Sequence, residues 1–165
     1  MRVAVLLTLF ISVCVTVTAQ SPHINGPDLP DSSLADFSFL VPAPAGNKGF
    51  VTTRPDGHFY YGDGTRARFW GINVSSASIP QSNEVIDDAV ARFRRAGINM
   101  LRLEAPDNVG LLLSSPVADT SRYLNTEFLD RMHYWMAAAK KQGIYTYFQL
   151  LDFRTFKEGD GVPNA

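Results

Sequence analysis

Charge and sulfur are both scarce in this sequence. Only 19% of its 165 residues are charged, and 15 lysines and arginines against 16 aspartates and glutamates leave a net charge of -1. Such a balance lacks the basic surface that nucleic acid requires, so no nucleic-acid partner is expected. The single cysteine is Cys14, which excludes an internal disulfide and thiolate metal sites. His23, His58 and His133 stand far apart with no ligand spacing, so no metal site is expected either. What the chain has instead is apolar and aromatic matter, at 45% and 12% of its residues. That excludes intrinsic disorder and supplies one domain with a core or a sugar-stacking surface.

The one long apolar run opens the chain. Met1-Arg2 is followed by an almost unbroken apolar run from Val3 to Val17 and then Thr18-Ala19, the pattern of a secretory signal peptide cut after Ala19. At about 15 residues the run is short of the ~20 that span a bilayer. A secreted protein, extracellular or periplasmic, with no membrane association after cleavage is therefore expected. The alternatives are an uncleaved anchor and a lipoprotein signal at Ile11-Ser12-Val13-Cys14, where Val13 is bulkier than such a site wants. Residues 20–49 read as a leader interrupted by Pro22, Pro27, Pro30, Pro42 and Pro44, with Phe37 to Val41 as a possible short strand.

Residues 50–165 carry the fold. Two turn signals, Arg54-Pro55-Asp56-Gly57 and Gly62-Asp63-Gly64, bracket β-rich runs at His58 to Tyr61 and Arg66 to Trp70, which predicts an N-terminal β-hairpin. Gly62 to Ala67 also fits a dinucleotide fingerprint on paper, but it precedes a strand, Arg68 to Asn73, rather than a helix, so a turn is expected. The period then changes from two to 3.6. Val85, Ile86, Ala89, Val90, Phe93 and Ala96 make one helical stripe, capped by Ser82 or Asn83 and stopped by Gly97. Asn83-Glu84 resembles the acid-bearing pair of sugar hydrolases, yet at a helix start it reads as capping. A strand from Ile98 to Leu103, a long polar loop to about Leu124, a helix from Thr126 to Gln142 and a strand from Ile144 to Leu151 complete the pattern. The second helix has Phe128, Leu129, Met132, Trp135, Met136 and Ala139 as its core stripe, with His133 on its surface or boundary.

Arg94-Arg95-Ala96-Gly97-Ile98 and Lys140-Lys141-Gln142-Gly143-Ile144 repeat one joint: a basic helix end, a stop glycine, an Ile-led strand. Strand, helix, strand, helix, strand in this form predicts an α/β fold with a parallel sheet, whose functional groups gather at the carboxyl ends of the strands. Those ends deliver Asn73 and Ser75, then Arg102, Glu104 and Asp107-Asn108, then Gln149, Asp152 and Arg154. A polar rim without a phosphate loop suits a hydroxyl-rich ligand, and Arg102 inside a buried strand needs a carboxylate partner.

Phe69 to Asn73, Ala96 to Leu103, Leu129 to Trp135 with Lys141 to Tyr145, and Arg154 to Gly161 together resemble the start of secreted glycoside hydrolases related to the cellulase family (family 5, clan A). The likeness spans about residues 49–161. It implies a (β/α)8 barrel, of which this chain supplies about three strands and two helices, and retaining hydrolysis of O-glycosidic bonds in a polysaccharide such as a β-glucan. No cofactor is implied. Arg102 would hold the nucleophile ionised and aimed, and Asn73, Glu104, Asp107, Asp152 and Arg154 would bind substrate.

Two departures accompany the likeness. Glu104-Ala105-Pro106 stands where relatives often place histidine. A barrel of this type also needs roughly 250 residues, so the acid/base and nucleophile glutamates are expected beyond Ala165 and the chain is expected to be an inactive amino-terminal fragment. Glu104 with Asp152 is the only carboxylate couple within reach of the rim. Other readings are a non-catalytic carbohydrate-binding protein stacking sugars on Trp70, Tyr123 and Phe153, and, more weakly, a flavodoxin-like binder. Asn73-Val74-Ser75 is an N-glycosylation sequon hindered by its strand-end place.

Overall fold

A computed structural model describes residues 34–109, 112–113, 120–149 and 151–163; the expected signal peptide and the first part of the expected leader lie outside them. Strands β1 (Thr52–Thr53), β2 (Phe59–Tyr60) and β3 (Gly71–Ser75) precede helix α1 (Asn83–Arg95), followed by β4 (Met100–Glu104), the short α2 (Pro106–Val109), β5 (Leu112–Leu113), β6 (Tyr123–Leu124), α3 (Thr126–Lys141) and β7 (Tyr145–Phe148). The chain is a mixed α/β fold organised on one parallel sheet, β3-β4-β7. Its register sets Asn73 beside Arg102 and Arg102 beside Tyr147.

Alternation along the strands gives the sheet two unlike faces. Val74, Leu101 and Leu103 point into a buried core with Ile86 and Val90 of α1 and Phe128, Met132, Trp135 and Ala139 of α3. The residues between them, Asn73, Arg102, Glu104 and Tyr147, occupy the opposite face, which no helix covers among the described residues. Parallel sheets are ordinarily covered on both faces.

Both long helices begin and end as their sequences dictate. Ser82 accepts from the Val85 N–H and Asn125 from the Phe128 N–H, each satisfying a donor that a helix start leaves free. At the other ends the repeated joint appears as repeated hydrogen bonds. Ile98 N–H reaches Phe93 O and Gly97 N–H reaches Arg94 O; Ile144 N–H reaches Ala139 O and Gly143 N–H reaches Lys140 O. This is the Schellman pattern twice over, and it requires the left-handed φ of +76° at Gly97 and +86° at Gly143.

The leader takes part in this construction. Phe37 N–H bonds Arg95 O, Ala45 N–H bonds Lys140 O, and Val41 between them is buried in the core. Residues Ser38–Leu40 form a 3-10 turn rather than the short strand that apolar content suggested. Two positions of the α1 stripe also differ from expectation: Val85 is half exposed and Ala96 is exposed.

Antiparallel pairing falls on the first turn signal, joining Thr52–Thr53 to Phe59–Tyr60. Around the second, only an isolated bridge from Tyr60 to Arg66 forms. Arg66 to Trp70 is not a strand: Ala67 N–H still reaches Phe59 O, but further along the Asn99 side chain takes the bonds, with Oδ1 accepting from Trp70 N–H and Nδ2 donating to Arg68 O. Tyr61, Phe69 and Tyr145 pack edge to face or tilted, with ring centroids 5.6 to 6.4 Å apart, anchoring this segment at the amino end of the sheet. The polar loop after β4 contains α2 and the antiparallel β5-β6 pair, elements not anticipated although Pro106 and Asp107 are suited to a first helical turn.

Candidate functional site

The polar face is organised around Arg102. Its guanidinium donates to Glu104 Oε1 at 3.0 Å and to Gln149 Oε1 at 2.6 Å, so the carboxylate expected for a strand arginine comes from two residues along the same strand. Both partners of the ion pair remain about one-third exposed. Asn73 lies exposed in the neighbouring strand at the same level. Asn73, Arg102 and Glu104 are thus brought together, with Tyr147 of β7 and Gln149 just after it joining them.

Asp107 has a different task. Its Oδ2 accepts three successive backbone N–H groups, from Asp152 at 2.8 Å, Phe153 at 3.1 Å and Arg154 at 2.9 Å. The residue is buried and its Oδ1 has no hydrogen-bond partner among the described residues. Burial pushes its carboxyl up, but the backbone donors outweigh burial and leave it below its ordinary value. Asp107 is placed by an unusual backbone, since Ala105 has φ +48° although it is neither glycine nor free of the restriction that Pro106 imposes.

Asp160 forms a second clamp. Oδ1 accepts from Thr120 Oγ1 at 2.6 Å and Ser121 N–H at 2.8 Å; Oδ2 accepts from Ser121 Oγ at 2.6 Å and Lys157 N–H at 2.9 Å. The hydroxyls of Ser121 and Thr120 hold this carboxyl far below its ordinary value, overcoming burial, with the backbone groups of Lys157 and Ser121 adding to them. Arg154 joins the clamp through Ser121 Oγ at 2.9 Å and Asp160 Oδ1 at 3.7 Å, with its guanidinium over the Phe156 ring. Arg122 donates to the Asp160 carbonyl.

Of the expected site residues, Asp107 and Arg154 are therefore engaged in holding loops, while Asp152 is exposed. Glu104 is tied to Arg102 and Asp152 is not, so the one carboxylate couple at the rim has two unlike members. Asp160 and Ser121 were not singled out from the sequence, because their bonds span about 40 residues and leave no local pattern. Trp70, Tyr123 and Phe153 are all more than half exposed, but Trp70 precedes β3 and Phe153 follows β7, at opposite ends of the sheet. Asn83 accepts from Arg131 at 2.7 Å and Glu84 is lowered by its own backbone N–H and by Ser82, the surroundings of a helix start. Gly62 to Gly64 form a turn in which Asp63 accepts from Thr65.

Among the described residues no cluster of three or more His, Cys, Asp or Glu is placed to hold a metal, and no helix is long and apolar enough to cross a membrane. No protein-family model, curated protein or solved structure matches the chain.

Proposed function

We propose that this chain is the opening part of a secreted glycoside hydrolase barrel related to the cellulase family, and that its uncovered sheet face contacts a polysaccharide or oligosaccharide. The observation that carries the reading is the two-faced parallel sheet. Both helices lie on one side, and Asn73, Arg102, Glu104 and Gln149 gather toward the carboxyl ends on the other, the place where barrel enzymes bind substrate. Amides, an arginine and a carboxylate side by side offer donors and acceptors to sugar hydroxyls, and no phosphate-cradling loop follows β3. In this reading Arg102 positions a nucleophile from elsewhere in the barrel, with Glu104 restraining the guanidinium meanwhile. Retaining hydrolysis needs two carboxyl groups about 5 to 5.5 Å apart, which the resemblance assigns to later strand ends, so the three strands bind without turning over.

The test is to incubate the purified chain with cellohexaose, mannohexaose and xylohexaose, following binding by NMR and bond cleavage by reducing-end release. Binding of one probe without cleavage is expected. Cleavage above the buffer control would overturn the claim of inactivity, and absence of binding to all three would overturn the sugar reading.

A further inference from the structure

We propose that Asp107 is a positioning residue that holds Asp152 and Phe153 as a paired contact for one pyranose ring. The inference rests on the sugar reading above and specifies where one ring sits. Three successive N–H groups, of Asp152, Phe153 and Arg154, converge on Asp107 Oδ2 within 3.1 Å. Backbone curled around an anion in this way forms a concave nest, here filled by the protein's own carboxylate. Residues 152 and 153 consequently have a fixed backbone while both remain exposed, Phe153 at 59%. The next residue is fixed as well, through Arg154 Nε to Ser121 Oγ at 2.9 Å.

Several features separate this loop from an ordinary connection. Burying a carboxylate is costly, the strained Ala105 precedes the residue that does it, and the anchor comes from the neighbouring strand end, 45 residues away. The result is an aromatic and an acidic residue, consecutive in the chain and both exposed, held beyond the end of β7, where Arg102 donates to Gln149. A flat apolar surface beside a hydrogen-bond acceptor matches the two chemistries of a pyranose, a C–H face and a rim of hydroxyl donors. Because the pair is preorganised, little ordering cost remains for binding.

The experiment is an NMR titration of the purified chain with the same three hexasaccharides, together with amide exchange at residues 152–154. Saturable shifts at residues 152–154 are expected with at least one probe. Phe153→Ala and Asp152→Ala should each weaken binding at least tenfold, and Trp70→Ala, at the opposite end of the sheet, should change it less than twofold. Asp107→Ala should release the three amides to exchange and weaken binding at least tenfold, while Asp107→Asn, which keeps an acceptor oxygen, should restore most of the affinity. If Asp107→Ala does not fold, the Asp152 and Phe153 variants decide. Wild-type binding unaffected by those two, or shifts mapping elsewhere, overturns this inference and spares the sugar reading. Wild-type binding to none of the probes overturns both.

Discussion

The two ends of the parallel sheet are fixed by opposite means. At the amino ends, each helix hands over to a strand through a left-handed glycine and two backbone hydrogen bonds, and Gly97 and Gly143 repeat the device. At the carboxyl ends, the chain is held by side-chain carboxylates, Asp107 and Asp160, that reach across to distant loops. A glycine joint closes through backbone groups and needs no side chain at its turn. A buried carboxylate needs donors, and the loops recruited to provide them bring exposed polar and aromatic side chains to the rim. Backbone joints and side-chain clamps are thereby separated along one axis of the fold.

The sharpest way to break the contrast is at the glycines. A Cβ on Gly143 would lie 2.5 Å from Pro42 O, whereas one on Gly97 meets nothing closer than Phe37 Cβ at 3.3 Å. Gly143→Ala is expected to cost about 4 kcal/mol, from backbone strain and overlap together, and Gly97→Ala about 2 kcal/mol from strain with a small adjustment. Urea denaturation would measure both, and equal effects would mean that the leader does not bear on the second joint.

Acid should distinguish the ends next. Asp107 and Asp160 both titrate below the ordinary value when folded. Their contribution is complete above the unfolded aspartate pKa of about 3.9 and is lost as pH falls through the lower folded values. As pH falls below about 3.9, amides at residues 120–122 and 152–160 should lose protection from exchange before those at 97–98 and 143–144, and Asp160→Asn should weaken that pH dependence.

The smallest effect is expected at the ion pair of the open face. With both partners about one-third exposed, a double-mutant cycle with Arg102→Gln and Glu104→Gln should give a coupling of under about 1 kcal/mol. A larger coupling would place the pair in a far drier setting.

The same division governs what the sequence made legible. The order of strands and long helices, their caps and the repeated joints depend on residues within a few positions of one another, so period and punctuation reveal them. The start of β3 is displaced because Asn99 imitates a neighbouring strand for Arg68 and Trp70, a substitution that no propensity signals. Val85 and Ala96 fit the apolar stripe of α1, but a stripe defines an angle around the helix and not how far along it a neighbour extends. At the rim, position after a strand was enough to nominate Asn73, Arg102, Glu104, Asp107, Asp152 and Arg154. Their division into exposed groups and loop anchors depends on bonds across some 33 to 47 residues, which leave no trace in local sequence.

The leader has a mechanical consequence. Because it is bonded first to the end of α1, then buried at Val41, then bonded to the end of α3, tension applied ahead of Asp36 reaches these attachments one after another. The two helices are thus laced to the sheet by a strip that peels in sequence, and a pulling experiment on the amino terminus should record that peeling before the sheet itself bears load.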